Sequence, residues 1–125
     1  MAQILVIDDD PSVRVTIEQI LQSAGHAVIS AVDGREGVDI FRANPVDVVI
    51  TDLYMPNQEG LETIRELRSR FPTVAIIAMS GRPTAETMLS IAQKLGAVGV
   101  LQKPFVPQEL LAAVTKALHG HSQSQ

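Results

Sequence analysis

The sequence predicts an α/β fold, a doubly wound parallel sheet of five strands with helices on both faces. Two observations carry that expectation. Short runs rich in Val, Ile and Leu, at 4–7, 46–51, 74–79 and 99–102, have the length and composition of strands buried on both faces. The segments between them repeat apolar residues at helical spacing. A third observation bears on function: Asp8, Asp9, Asp52, Ser80 and Lys103 each stand where an apolar run ends. All strands of a parallel sheet end on one edge, so these residues, scattered from 8 to 103, converge in one crevice.

Each element has its own signal. The first strand, Ile4 to Ile7, is followed by Pro11 at a first helical position with Asp10 as N-cap. That helix places Val13, Ile17, Ile20, Leu21 and Ala24 on one face, and Gly25 ends it. His26 to Ala31 is the second strand. Asp33-Gly34 then turns into a helix through Phe41 and Arg42, with Asp33 as its cap and Glu36 in box-like spacing. Asn44-Pro45 breaks this helix before the strand Val46 to Thr51. Asp47 is read as structural. After the loop Leu53 to Glu59, a helix carries Leu61, Ile64 and Leu67 inward, and the strand Val74 to Met79 follows. The next helix runs from Thr84 to Leu95 and stops at Gly96. The fifth strand, Gly99 to Gln102, leads through Lys103-Pro104 into a last helix, Pro107 to Leu118, with Leu110, Leu111, Val114 and Leu118 on its buried side. The polar tail from His119 is expected to fray, which places one domain at 1–120 and leaves 121–125 as its loose end.

Composition narrows the function. A chain of 125 residues, 46% hydrophobic and 19% charged, suits one globular domain with its own core. With no cysteine there is no disulfide framework, thiolate metal site or thiol nucleophile, which fits a reducing compartment and makes the cytoplasm the default. No basic segment followed by an apolar stretch opens the chain, and no apolar run approaches the roughly 20 residues a bilayer span needs. A net charge of −4 without a Lys/Arg cluster, and only one Tyr and three Phe for stacking bases, argue against direct nucleic-acid binding.

The chemistry begins with charge. Three carboxylates in one crevice repel unless a cation answers them. The ligands on offer are hard oxygens, because cysteine is absent and no histidine falls at the C-terminal end of a strand. That favours Mg²⁺ or Mn²⁺ over zinc, and magnesium commonly completes its shell with a phosphate oxygen. Lys103 can pair with one phosphoryl oxygen, Ser80 can donate to another, and Asp52 remains as the acceptor. Asp10 is assigned to capping, and the histidines at 26, 119 and 121 form no ligand constellation.

Taken together, these residues resemble the receiver domains of two-component response regulators, of the chemotaxis-regulator kind. The resemblance runs from Ile4 to Leu118. It rests on the acidic pair in Ile4-Leu-Val-Ile-Asp-Asp-Asp10, on Asp52-Leu-Tyr-Met-Pro56 with Gly60, on Met79-Ser-Gly81 and on Lys103-Pro-Phe105. It implies the flavodoxin-like strand order 2-1-3-4-5 and phosphorylation of Asp52 from a phosphohistidine on a sensor histidine kinase or phosphotransfer protein. It also implies that Asp9, Asp52 and the backbone carbonyl of Tyr54 coordinate Mg²⁺, with Asp8 acting through water. Ser80 would sense the phosphoryl group, Lys103 would pair with it, and the Lys103–Pro104 bond would be cis. Such a chain is a switch for a downstream target or output domain and catalyses only its own phosphorylation and dephosphorylation. Tyr54 and Arg82 are the large residues placed to gate water from the phosphorylated site.

Two positions depart from the family pattern. Val100 stands where many receivers carry Tyr or Phe, and Val106 where many carry Asp, so the last helix starts without a side-chain acceptor at its cap. Other functions fit less well. A phosphohydrolase of the haloacid dehalogenase type wants a second acid two residues after its nucleophile, where this chain has Tyr54. A flavodoxin needs a Ser/Thr-rich phosphate loop where this chain has Asp8-Asp9-Asp10. A receiver acting by protein contact without phosphorylation is the remaining alternative.

Overall fold

Branched apolar side chains crowd both faces of β1 (Gln3–Ile7), β3 (Val48–Asp52) and β4 (Ala75–Ser80), and these strands form the centre of the sheet. The edges are β2 (Ala27–Ala31) and β5 (Gly99–Gln102), and the five strands run parallel in the order β2-β1-β3-β4-β5. The computed structural model describes residues 2–53, 60–81 and 85–123. Side chains alternate along each strand, so the sheet feeds two cores. Ile4, Val6, Val48, Ile50, Ile77 and Met79 pack under α1 (Pro11–Ser23) and α5 (Pro107–Gln123). Leu5, Ile7, Val49, Ile76 and Ala78 pack under α2 (Gly34–Ala43), α3 (Gly60–Arg70) and α4 (Ala85–Leu95). The architecture is the one the sequence predicts.

Caps explain where the helices start and stop. Asp10 accepts from the Ser12 N–H at 2.9 Å and from its hydroxyl at 2.8 Å, which holds the Asp10 carboxyl below its ordinary range. Asp33 accepts from the Glu36 N–H at 2.8 Å, while Glu36 reaches back to the Val32 N–H at 3.0 Å. Gly25 and Gly96 close α1 and α4 in the left-handed region, at φ 93° and 119°. Beyond α4, Arg68 of α3 donates to the Gly96 carbonyl at 2.9 Å and to Pro72 at 2.6 Å, so the C-terminal end of α4 is tied to α3.

The boundaries shift where side chains satisfy the backbone. β2 and β3 begin one and two residues later than expected, at Ala27 and Val48. His26 Nδ1 instead accepts the Ala2 N–H at 3.1 Å, and Asp47 Oδ2 accepts the Gln3 N–H at 2.8 Å. Val74 closes a turn on Phe71, leaving β4 to run from Ala75 to Ser80. In α3 the buried positions are Gly60, Thr63, Ile64 and Leu67, and Leu61 is only half-buried. α5 continues through Gln123, past the expected end at Leu118, because helical hydrogen bonding does not require an apolar face.

The start of α5 carries half of a capping box. Glu109 Oε1 accepts the Val106 N–H at 3.0 Å, but the Val106 side chain offers no acceptor in return, the Glu109 N–H bonding to the Val106 carbonyl at 3.0 Å, and Val106 is 53% exposed. Val106→Asp should supply the missing acceptor without disturbing the core. The expected gain is about 1 kcal/mol, read as a higher urea midpoint with an unchanged slope.

Candidate functional site

Strand register brings the site together. Ile7 pairs with Thr51, Asp52 with Met79, and Ser80 with Gln102. Asp8 therefore lies beside Asp52, and Lys103 comes level with the residue after Ser80, whose carbonyl takes the Lys103 N–H at 2.9 Å. Asp8 and Ser80 are fully buried, Asp52 is 7% exposed, and Asp9 stands at the surface. Thr51, unforeseen in the sequence, is also fully buried and donates its hydroxyl to the Asp52 carbonyl at 3.0 Å.

Lys103 crosses the end of β4 to reach both inner carboxylates. Its Nζ lies 2.8 Å from Asp8 Oδ2 and 3.0 Å from Asp52 Oδ2. The cis Lys103–Pro104 bond follows. Burial pushes the Lys103 ammonium toward deprotonation, but hydrogen bonds to Asp8 and Asp52, and their charges, outweigh it and raise its pKa. Burial also raises the Asp8 carboxyl, against the opposing hydrogen bonds from Lys103 and the Asp10 N–H.

One carboxylate oxygen from each of Asp8, Asp9 and Asp52 lies within 4.8 Å of the others. Three acids against one ammonium leave this cluster short of positive charge, and the donors are all hard oxygens, so a small divalent cation fits it. The expected Tyr54 carbonyl ligand and the proposed gate, Tyr54 with Arg82, lie outside the described residues. Gly60 closes the floor: a Cβ there would overlap the Asp52 carbonyl and the Leu53 backbone, so only glycine lets α3 start this close to the end of β3. Arg14, which no sequence pattern singled out, donates to the Asp8 carbonyl at 2.6 Å.

The pattern of the response regulator receiver domain matches residues 4–115. The chain belongs to that family. Receiver domains are regulatory switches that work by phosphorylation and generally bind Mg²⁺ at an acidic pocket. The response regulator MprA of Mycolicibacterium vanbaalenii is 36% identical over 116 residues, which make up 93% of this chain and 50% of that protein. The DNA-binding transcriptional regulator NtrC of Escherichia coli is 30% identical over 120 residues, 96% of this chain and 25% of that one. This receiver thus spans half or less of these two relatives. A receiver domain protein from Clostridium thermocellum superposes with a TM-score of 0.92 at 34% identity, over 100% of both chains. Among the described residues, no helix is long and apolar enough to cross a membrane.

Asp8 carries a testable sign. Its folded-state pKa lies above its unfolded value, so the folded protein holds this proton more tightly, and stability falls as pH rises between the two values. Asp8→Asn keeps the acceptor for the Asp10 N–H and removes the buried charge. At pH 7 in EDTA the variant should have the higher urea midpoint. The difference should shrink as pH falls toward the ordinary carboxylate range, where Asp8 of the parent takes up its proton.

Proposed function

We propose that this chain is a phosphorylation switch in which Asp52 accepts a phosphoryl group from a phosphohistidine on a sensor histidine kinase or histidine phosphotransfer protein. The observation that carries this reading is the nearly buried Asp52 carboxylate, paired with Lys103 and set within 4.8 Å of two further carboxylates. One Asp52 oxygen attacks phosphorus, the bond from phosphorus to the imidazole nitrogen breaks, and the acyl phosphate remains on Asp52. Asp9 and Asp52 would hold Mg²⁺ directly, with Asp8 acting through water and Mn²⁺ as a substitute. Bound there, the ion neutralises charge on the phosphoryl oxygens. Lys103 supplies a second positive charge to those oxygens, and the Ser80 hydroxyl donates to one of them. The reaction asks for position and neutralised charge, which this site offers, rather than a separate acid and base.

The partner has a place to dock. A mostly apolar cavity of about 410 Å³ opens beside Lys103 between α1 and the turn into α5, and its lining includes Val13, Ile17, Pro104 and Phe105. A helix that presents its histidine at the rim of this groove would face the acidic cluster. On phosphorylation, Ser80 moves toward the new oxygens and the surface of α4, β5 and α5 changes for a downstream protein target or a linked output domain. Val100, half-buried on β5, stands where many receivers carry a larger ring, so this rearrangement is smaller here. The switch acts in the cytoplasm through protein contacts rather than by binding nucleic acid itself, and it occupies 1–120.

Incubation with acetyl phosphate and Mg²⁺ should add one phosphoryl group by mass spectrometry, and Asp52→Asn should take up none. Equal labelling of that variant would overturn the assignment. Lys103→Met should still bind Mg²⁺ but react on the order of a hundredfold more slowly.

A further inference from the structure

We propose that Arg14 is a positioning residue for the cation-binding carboxylate of Asp9, acting through the peptide that joins Asp8 to Asp9. The inference rests on the phosphorylation-switch reading and extends it to a residue outside the acidic cluster. Arg14 lies one turn into α1, where its N–H bonds to the Asp10 carbonyl at 3.1 Å. Its side chain turns back over the loop, and Nη1 donates to the Asp8 carbonyl at 2.6 Å. That oxygen belongs to the peptide plane immediately before the Asp9 Cα. On the other side of Asp9, the N–H of Asp10 donates to Asp8 Oδ1 at 2.9 Å.

Peptide planes are rigid, so holding the planes on both sides of a residue fixes its φ and ψ and with them the direction of its Cβ. This matters most at Asp9. Its carboxylate is exposed, so packing does little to aim it, yet one of its oxygens lies within 4.8 Å of oxygens on Asp8 and Asp52. The Asp8 carboxylate and β1 secure one side of the arrangement, since the Asp8 N–H also bonds to the Ala31 carbonyl at 3.2 Å. Arg14 secures the other with a charge-assisted bond from its guanidinium. Partners behind a metal ligand commonly govern affinity in this way, by orienting a donor they do not replace.

The rival explanation is that Arg14 only fastens α1 to the loop. Thr16 is the control, because its hydroxyl donates to the Ser12 carbonyl at 2.9 Å within the same helix. The experiment follows the amide resonances of Asp9 and Asp10 as MgCl₂ is added to EDTA-treated protein. Arg14→Met should raise the Mg²⁺ half-saturation about tenfold, and Arg14→Lys, which keeps the charge and one donor, should return it to within about threefold of the parent. Thr16→Ala should leave it unchanged. A parental half-saturation in Arg14→Met, an equal rise in Thr16→Ala, or no recovery in Arg14→Lys would overturn the proposal. A parent whose amides do not respond to Mg²⁺ would overturn the switch reading and this proposal with it.

Discussion

Asp8 and Asp52 end neighbouring strands, lie almost wholly out of solvent and are both answered by Lys103 Nζ, at 2.8 and 3.0 Å. Partners that lie 95 and 51 residues apart in sequence meet in those two bonds. Each charge alone would be costly at such depth, and removing the ammonium would leave both acids uncompensated. The ammonium therefore holds the open edge of the sheet together and presents the acids as a set. Its stem passes close to Gly81, which follows β4. A Cβ on Gly81 would stand 3.1 Å from the Lys103 Cβ, so anything bulkier would press on the stem as it crosses toward β3 and β1. Gly81, Lys103, Asp8 and Asp52 form one geometric unit.

Much of this was legible because it follows from periodicity. Apolar runs and helical spacing locate the described strands and helices to within a few residues, and the parallel sheet makes strand ends converge, so Asp8, Asp9 and Asp52 share one cluster, Lys103 joins Asp8 to Asp52, and Ser80 ends the adjoining strand. The illegible part consists of side chains that bond to a distant backbone. Arg14 on the Asp8 carbonyl, Thr51 on the Asp52 carbonyl and His26 on the Ala2 N–H leave no periodic trace, since each depends on the angle at which one segment passes another. Asp47 was assigned a structural role, but its partner, the Gln3 N–H, is visible only in three dimensions. The same contacts moved the starts of β2 and β3 inward. Capping signals were more dependable, because an N-cap and its partner lie within three residues.

The two edges of the sheet contrast in their chemistry. At the N-terminal edge, His26 and Asp47 take the N–H groups of Ala2 and Gln3, while Ala27 and Asp47 donate to the carbonyls of the same two residues at 2.9 Å. Backbone donors and acceptors there are matched pair by pair. At the C-terminal edge, buried acids outnumber the cation between them, and burial disfavours the ionised form of Asp8. Local consistency is kept where it supports the fold and relaxed where charge must be received.

That asymmetry explains why the site can respond to a ligand at all. A fully neutralised, fully bonded edge would gain nothing from a divalent ion or a phosphoryl group. Here the excess of carboxylate gives a cation something to neutralise, and the single lysine has more than one oxygen to serve. Repulsion among the acids is set against two apolar cores beneath them, with β1, β3 and β4 buried on both faces. The fold supplies a rigid frame, and the unbalanced charge supplies the electrostatic attraction that a cation at the crevice would meet.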